Sequence, residues 1–121
     1  MSDYLDIALP YPPSVNHYWR HTKAGTHYIS REGKAFREQV YRICRAIDAT
    51  FSGKIAVQIA VFPPDNRRRD IDNILKALLD GLVHGKLIED DSLIMRLHIE
   101  KFEPRKDGLV VVKIKEWANA D

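Results

Sequence analysis

Between Gly53 and Gly85 the hydrophobic period of the chain changes once. Ile55, Val57, Ile59 and Val61 alternate with small or polar residues over Lys54 to Phe62, the period of a strand with one buried face. Pro63 and Pro64 close that strand, because proline has no amide hydrogen to give a sheet. Ile71, Ile74, Leu75, Leu78, Leu79 and Leu82 then recur at helical spacing and predict a helix from near Asp70 to Gly85.

The remaining segments extend this pattern. Leu5, Ile7 and Leu9 predict a strand over Tyr4 to Leu9, ended by Pro10, Pro12 and Pro13. Ser14 to Gly25 reads as a loop rich in aromatic and basic residues, and Thr26 to Ile29 as a short strand. Ser30 suits a helix N-cap, and Phe36, Val40, Ile43, Cys44 and Ile47 predict a helix from about Arg31 to Ala49. Leu93 to Phe102 and Leu109 to Trp117 read as two strands joined by the turn at Pro104 to Gly108. The expected fold is α/β (α+β): a mixed sheet of four to five strands packed with two α-helices. Val111, on the face of the last strand opposite Val110, Val112 and Ile114, suggests that burial is not one-sided, which a homodimer would explain.

A length of 121 residues fits a single domain, 1–121, and 45% hydrophobic content is enough for a core. The net charge is only +2, so any affinity for nucleic acid must come from local clustering. Cys44 is the one cysteine, which excludes an intrachain disulfide and a multi-cysteine zinc site and points to a reducing, cytoplasmic compartment. Met1 to Asp6 carries two acids and no long apolar run, so neither a signal peptide nor a membrane partner is expected.

The chemistry concentrates in Arg67-Arg68-Arg69-Asp70-Ile71-Asp72-Asn73-Ile74-Leu75-Lys76 and in the acidic cluster Glu89-Asp90-Asp91. Carboxylates bind hard divalent cations through oxygen, and arginines bind phosphate, so this pairing suggests a site where Mg²⁺ meets a phosphodiester. Each residue also has a plainer reading. Asp70 stands where an N-cap, worth ~1 kcal/mol, is needed, and Asp72 suits the first turn of a helix dipole. Lys76 could pair with Asp72 four residues earlier. The acidic cluster could be a solvated turn. None of these readings accounts for arginines beside a helix N-terminus, the wrong end for positive charge. His17 and His21 have the spacing of a helical metal pair, but the prolines around them argue against a helix. Trp19 either stacks on bases or plugs the edge of the core, and Cys44 belongs to the apolar stripe of its helix.

Leu9-Pro10-Tyr11-Pro12-Pro13-Ser14-Val15-Asn16-His17-Tyr18-Trp19-Arg20, Ser30 to Arg37, Arg68-Arg69-Asp70-Ile71-Asp72-Asn73 with Lys76, Asp80, and Asp90-Asp91 together resemble the RusA-type Holliday junction resolvases. These are small crossover-junction endodeoxyribonucleases, often carried by prophages. The resemblance implies that Asp70, Asp72 and Asp91 are catalytic carboxylates that bind Mg²⁺, and that Lys76 is a functional lysine. It further implies a homodimer that nicks two opposed strands of four-way junction DNA, with no small-molecule cofactor. Arg67, Arg68, Arg69, Asn16, Tyr18 and Arg20 would contact the DNA. Two other readings compete: a non-catalytic DNA-binding module recognising branched DNA, and a phosphoesterase for a small substrate. The first gains nothing from carboxylates that repel DNA, and the second has no use for the long basic-aromatic loop.

Overall fold

The computed structural model describes residues 4–118; Met1 to Asp3, part of the N-terminal reading, lie outside the described residues. In chain order the elements are β1 (Leu5–Pro10), α1 (Val15–Tyr18), β2 (Trp19–His21), β3 (His27–Ile29), α2 (Arg31–Ala46), β4 (Ile55–Phe62), α3 (Leu75–His84), β5 (Ile94–Lys101) and β6 (Leu109–Glu116). A 3₁₀ turn at Asp91–Leu93 leads into β5.

The strands predicted by alternation form one mixed sheet in the order β1-β6-β4-β5. β6 runs antiparallel between β1 and β4, and β5 runs parallel to β4. Ile7, Leu9, Ile55, Val57, Ile59, Val61, Val110, Val112 and Ile114 all lie buried on one face of it. Against that face pack Phe36, Val40 and Cys44 of α2 and Leu78 and Leu82 of α3, which closes a single apolar cluster. Burial raises the Cys44 thiol to about 11, as expected of a core residue. The α+β class and the four-stranded sheet therefore follow the hydrophobic periods.

The short strand does not join this sheet. β3 pairs only with β2, in a separate two-stranded sheet. The segment read as a loop contains both β2 and the single turn α1. That turn closes because the Ser14 carbonyl accepts the His17 and Tyr18 amides at 3.0 and 2.9 Å. Ser30 then fastens it to α2. Its hydroxyl donates to the His17 carbonyl and accepts the Gly33 amide at 3.0 Å, the expected N-cap bond. A Cβ on Gly33 would stand 2.8 Å from the Tyr18 carbonyl oxygen, so only glycine lets α1 lie this close to α2.

β5 is an edge strand, and the helices do not cover it. Met95 and Leu97 are 48% and 39% exposed. No helix among the described residues is long and apolar enough to cross a membrane.

Candidate active site

The helix predicted from Asp70 begins at Leu75 instead, so Asp70 is not its N-cap; Ile74 takes that place without a side-chain bond. The Asp70 carbonyl accepts the Asn73 amide at 3.1 Å and the Asp72 carbonyl accepts the Leu75 amide at 3.2 Å, three residues on rather than four. The Asn73 carbonyl, which could have extended the helix, accepts the Val15 amide at 2.8 Å. α1 thus holds residues 70–74 as a tight turn. Ile71, read as part of the buried stripe, is 40% exposed in that turn.

This turn presents Asp70 and Asp72 to solvent, and neither carboxylate has a hydrogen-bond or ion-pair partner among the described residues. The expected pairing of Asp72 with Lys76 does not form, because Asp72 precedes the helix. The Lys76 ammonium lies 5.8 Å from the centroid of the Trp19 ring instead. Trp19 itself packs edge-on against Tyr18, with centroids 5.5 Å apart.

The arginines are clamped before the turn. Asp65 accepts the Arg67 amide at 2.9 Å and the Arg69 guanidinium at 2.7 Å. The Arg69 guanidinium, followed by the Arg67 backbone bond, lowers the Asp65 carboxyl to about 2. Arg69 also lies over the Tyr11 ring at 5.9 Å, while the Lys101 ammonium donates to its carbonyl at 2.9 Å. Arg67 and Arg68 remain exposed. Together the three line a 380 Å³ cleft whose other wall includes Tyr11, Pro13 and His17. Two positive side chains facing solvent beside two unpartnered carboxylates can receive a phosphate and a cation together. Asp65 and Lys101 do not stand out in the sequence. The signal for Asp65 was its place after Pro64, where an Asp side chain commonly turns back on the backbone two residues on.

Asp91 does not join Asp70 and Asp72 within one chain. β4 and β5 are parallel, so α3 must carry the chain back to the opposite end of the sheet before β5 begins. Its ten residues cover roughly 15 Å. Asp70 and Asp72 precede α3 and Asp91 follows it, and no group of three or more His, Cys, Asp or Glu among the described residues stands close enough to hold a metal. Within the acidic cluster the residues divide. Asp90 accepts the Ser92 hydroxyl and amide as the cap of the 3₁₀ turn, which lowers its carboxyl, whereas the Asp91 carboxylate is exposed and without a partner among the described residues.

Of the other expected contacts, Asn16 and Arg20 are exposed, the latter 3.6 Å from Glu32. Tyr18 is a correction. It is wholly buried and its hydroxyl donates to Asp80, so it faces the core and offers nothing to DNA. Burial, then the Asp80 bond, raises its hydroxyl well above the ordinary range. His17 and His21 fall in different elements; His17 bonds Ser14 at 2.9 Å and His21 packs on His27 at 4.1 Å.

The fold and this site define a small α+β protein that presents acidic and basic groups close together in its sequence, ahead of α3. The profile described as Endodeoxyribonuclease RusA matches residues 10–115. A crossover junction endodeoxyribonuclease of Enterobacteria phage HK97 is 37% identical over 118 residues, covering 96% of this chain and 97% of the relative. Similar proteins of the same name come from Enterobacteria phage 82, at 37% identity over 93% of this chain and 95% of the relative, and from Escherichia coli strain K12, at 36% over the same shares. The chain belongs to the RusA family of endodeoxyribonucleases.

Proposed function

We propose that this protein resolves four-way DNA junctions by paired symmetric nicks, that it depends on Mg²⁺, and that it works as a homodimer in the cytoplasm. The observation that carries this reading is the pair of exposed carboxylates, Asp70 and Asp72, without partners among the described residues, in the turn that follows the arginines of the cleft and precedes Lys76. An all-carboxylate donor set suits a hard cation. Mg²⁺ commonly takes only one or two carboxylates beside substrate phosphate and water, so the set fits. Bound there, it would activate water and neutralise phosphate charge.

The chain's own groups divide the remaining work. Arg67 and Arg68 hold the backbone on the cleft side. Lys76 meets charge that develops on the phosphate being cut. Asn16 and Arg20 extend the DNA contact beyond the site.

A second copy supplies what one chain lacks. β5 is an exposed edge strand, and two such strands related by a two-fold axis pair antiparallel. The start of one then meets the end of the other. Asp91 precedes the start of β5, while Lys101 at its end touches Arg69. Pairing of this kind carries Asp91 of the partner subunit toward Asp70 and Asp72 and yields two sites on one axis, as paired nicks require.

The test is a nicking assay on synthetic four-way junctions, with and without Mg²⁺, beside linear duplex. Symmetric nicks that appear only with junction and metal are expected. Junction binding with no nicking in any divalent metal would leave a binding module and remove the catalytic assignment.

A further inference from the structure

A second groove of 570 Å³ is lined by Val15, Asn16, Trp19, His21 and His27, none of which lines the arginine cleft. Its chemistry is the reverse of the first. No arginine or lysine lines it, whereas three of its five lining residues carry aromatic rings. We propose that this groove takes one unstacked nucleobase of the junction strand, next to the phosphate that is cut. This rests on the function proposed above and names the part of the substrate that the site reads.

The groove is built to stay open. Trp19 cannot fall inward, because the wholly buried Tyr18 ring stands edge-on to it at 5.5 Å. Lys76 lies over the Trp19 ring but is not among the groove's walls, so the side of the indole that faces the groove is free of it. The His21 and His27 rings brace each other at 77° across the β2–β3 pair. Val15 exposes an apolar wall, 39% accessible, for which the core has no use. A flat aromatic floor with an apolar wall at Val15 suits the face of a base, and stacking of this kind tolerates any base. Asn16 adds an exposed amide with both donors and an acceptor, the groups that distinguish base edges.

Position selects a base over other aromatic ligands. Val15, a groove wall, donates its amide to Asn73, the residue after Asp72, at 2.8 Å. Groove and acidic turn are therefore hydrogen-bonded neighbours, and Lys76, four residues after Asp72, lies over the ring of Trp19. A strand whose phosphates lie along the arginine cleft and past Asp72 has its next base at the mouth of the groove. Bases at a branch point have lost part of their stacking, so moving one out costs least there.

The experiment is a cycle between protein and DNA. Affinity is measured without divalent metal for a fixed four-way junction and for a series carrying one abasic residue at each nucleotide near the branch point. Trp19→Ala should weaken binding of the intact junction by roughly 5- to 150-fold, and Trp19→Phe should retain most of it. An abasic residue at one particular position should erase the difference between wild type and Trp19→Ala, while abasic residues elsewhere leave it. If Trp19→Ala does not fold, Asn16→Ala, altered only at an exposed side chain, must lose its penalty at one abasic position in the same way. A penalty that is the same at every abasic position would make Trp19 a support for Lys76 or a backbone contact and overturn the proposal. Wild-type nicking in Mg²⁺ is followed on the same junctions. Nicking without coupling sinks this inference alone; neither binding nor nicking sinks the junction reading with it.

Discussion

Asp65 holds the guanidinium of Arg69 at 2.7 Å and also draws Arg67 to within 3.5 Å, so one carboxylate occupies two members of the arginine run before any phosphate arrives. The clamp orders the loop and lowers its positive potential. Asp65→Ala is expected to tighten binding to linear duplex and to steepen its salt dependence, by roughly 0.9 in the log–log slope for each further phosphate that the freed arginines neutralise. An unchanged salt slope would show that both arginines stay tied elsewhere. The pH dependence has a definite sign. The Asp65 carboxyl is lowered from 3.8 to about 2, so the clamp is intact above the ordinary value and is lost only as pH falls through the lowered one. Between pH 5 and pH 9 this pair contributes no pH dependence to loop order, which amide exchange across residues 65–70 can check.

Asp70→Asn, Asp72→Asn and Asp91→Asn are each expected to abolish nicking while leaving junction binding and melting temperature intact. All three side chains are exposed and lack partners among the described residues, so the stability change should stay within about 0.5 kcal/mol. A mixture of Asp70→Asn and Asp91→Asn proteins then tests the arrangement across subunits. If Asp91 serves the partner's site, each mixed dimer holds one complete site and one doubly defective site, and single-strand nicking returns. With both residues serving the same subunit, the mixture stays dead.

Lys76→Ala should slow single-turnover nicking far more than it weakens binding, because the lysine stands in the first turn of α3, four residues after Asp72, as an exposed cation with no ion pair among the described residues. Loss of affinity alone would make it a DNA contact.

Tyr18→Phe is expected to cost roughly 1 to 3 kcal/mol of stability, since it removes a buried hydroxyl whose partner is Asp80. Arg37 also faces Asp80, at 3.6 Å, and this ion pair limits the damage. Junction affinity per folded molecule should be unchanged. A selective loss of affinity in a fully stable variant would return Tyr18 to the DNA interface.

By itself the sequence determined the four strands of the main sheet, the two long helices and the identity of the chemical groups. Alternation at Ile55 to Val61 and the stripe at Ile74 to Leu82 are local signals, and Ile55, Val57, Ile59, Val61, Ile74, Leu78 and Leu82 are buried as they predict. Side-chain chemistry is equally local, so carboxylates beside arginines were legible as a candidate site for a cation and a phosphate. What the tertiary structure alone decided depends on contacts between distant segments. The amide of Val15 claims the carbonyl of Asn73 and moves the start of α3 to Leu75, a bond across 58 positions that periodicity cannot register. Tyr18 goes to the core rather than to the surface, and its hydroxyl goes to Asp80, 62 residues on. Asp91 parts from Asp70 and Asp72 because β5 pairs parallel to β4, and strand direction is a property of the assembled sheet that no residue in the strand itself encodes.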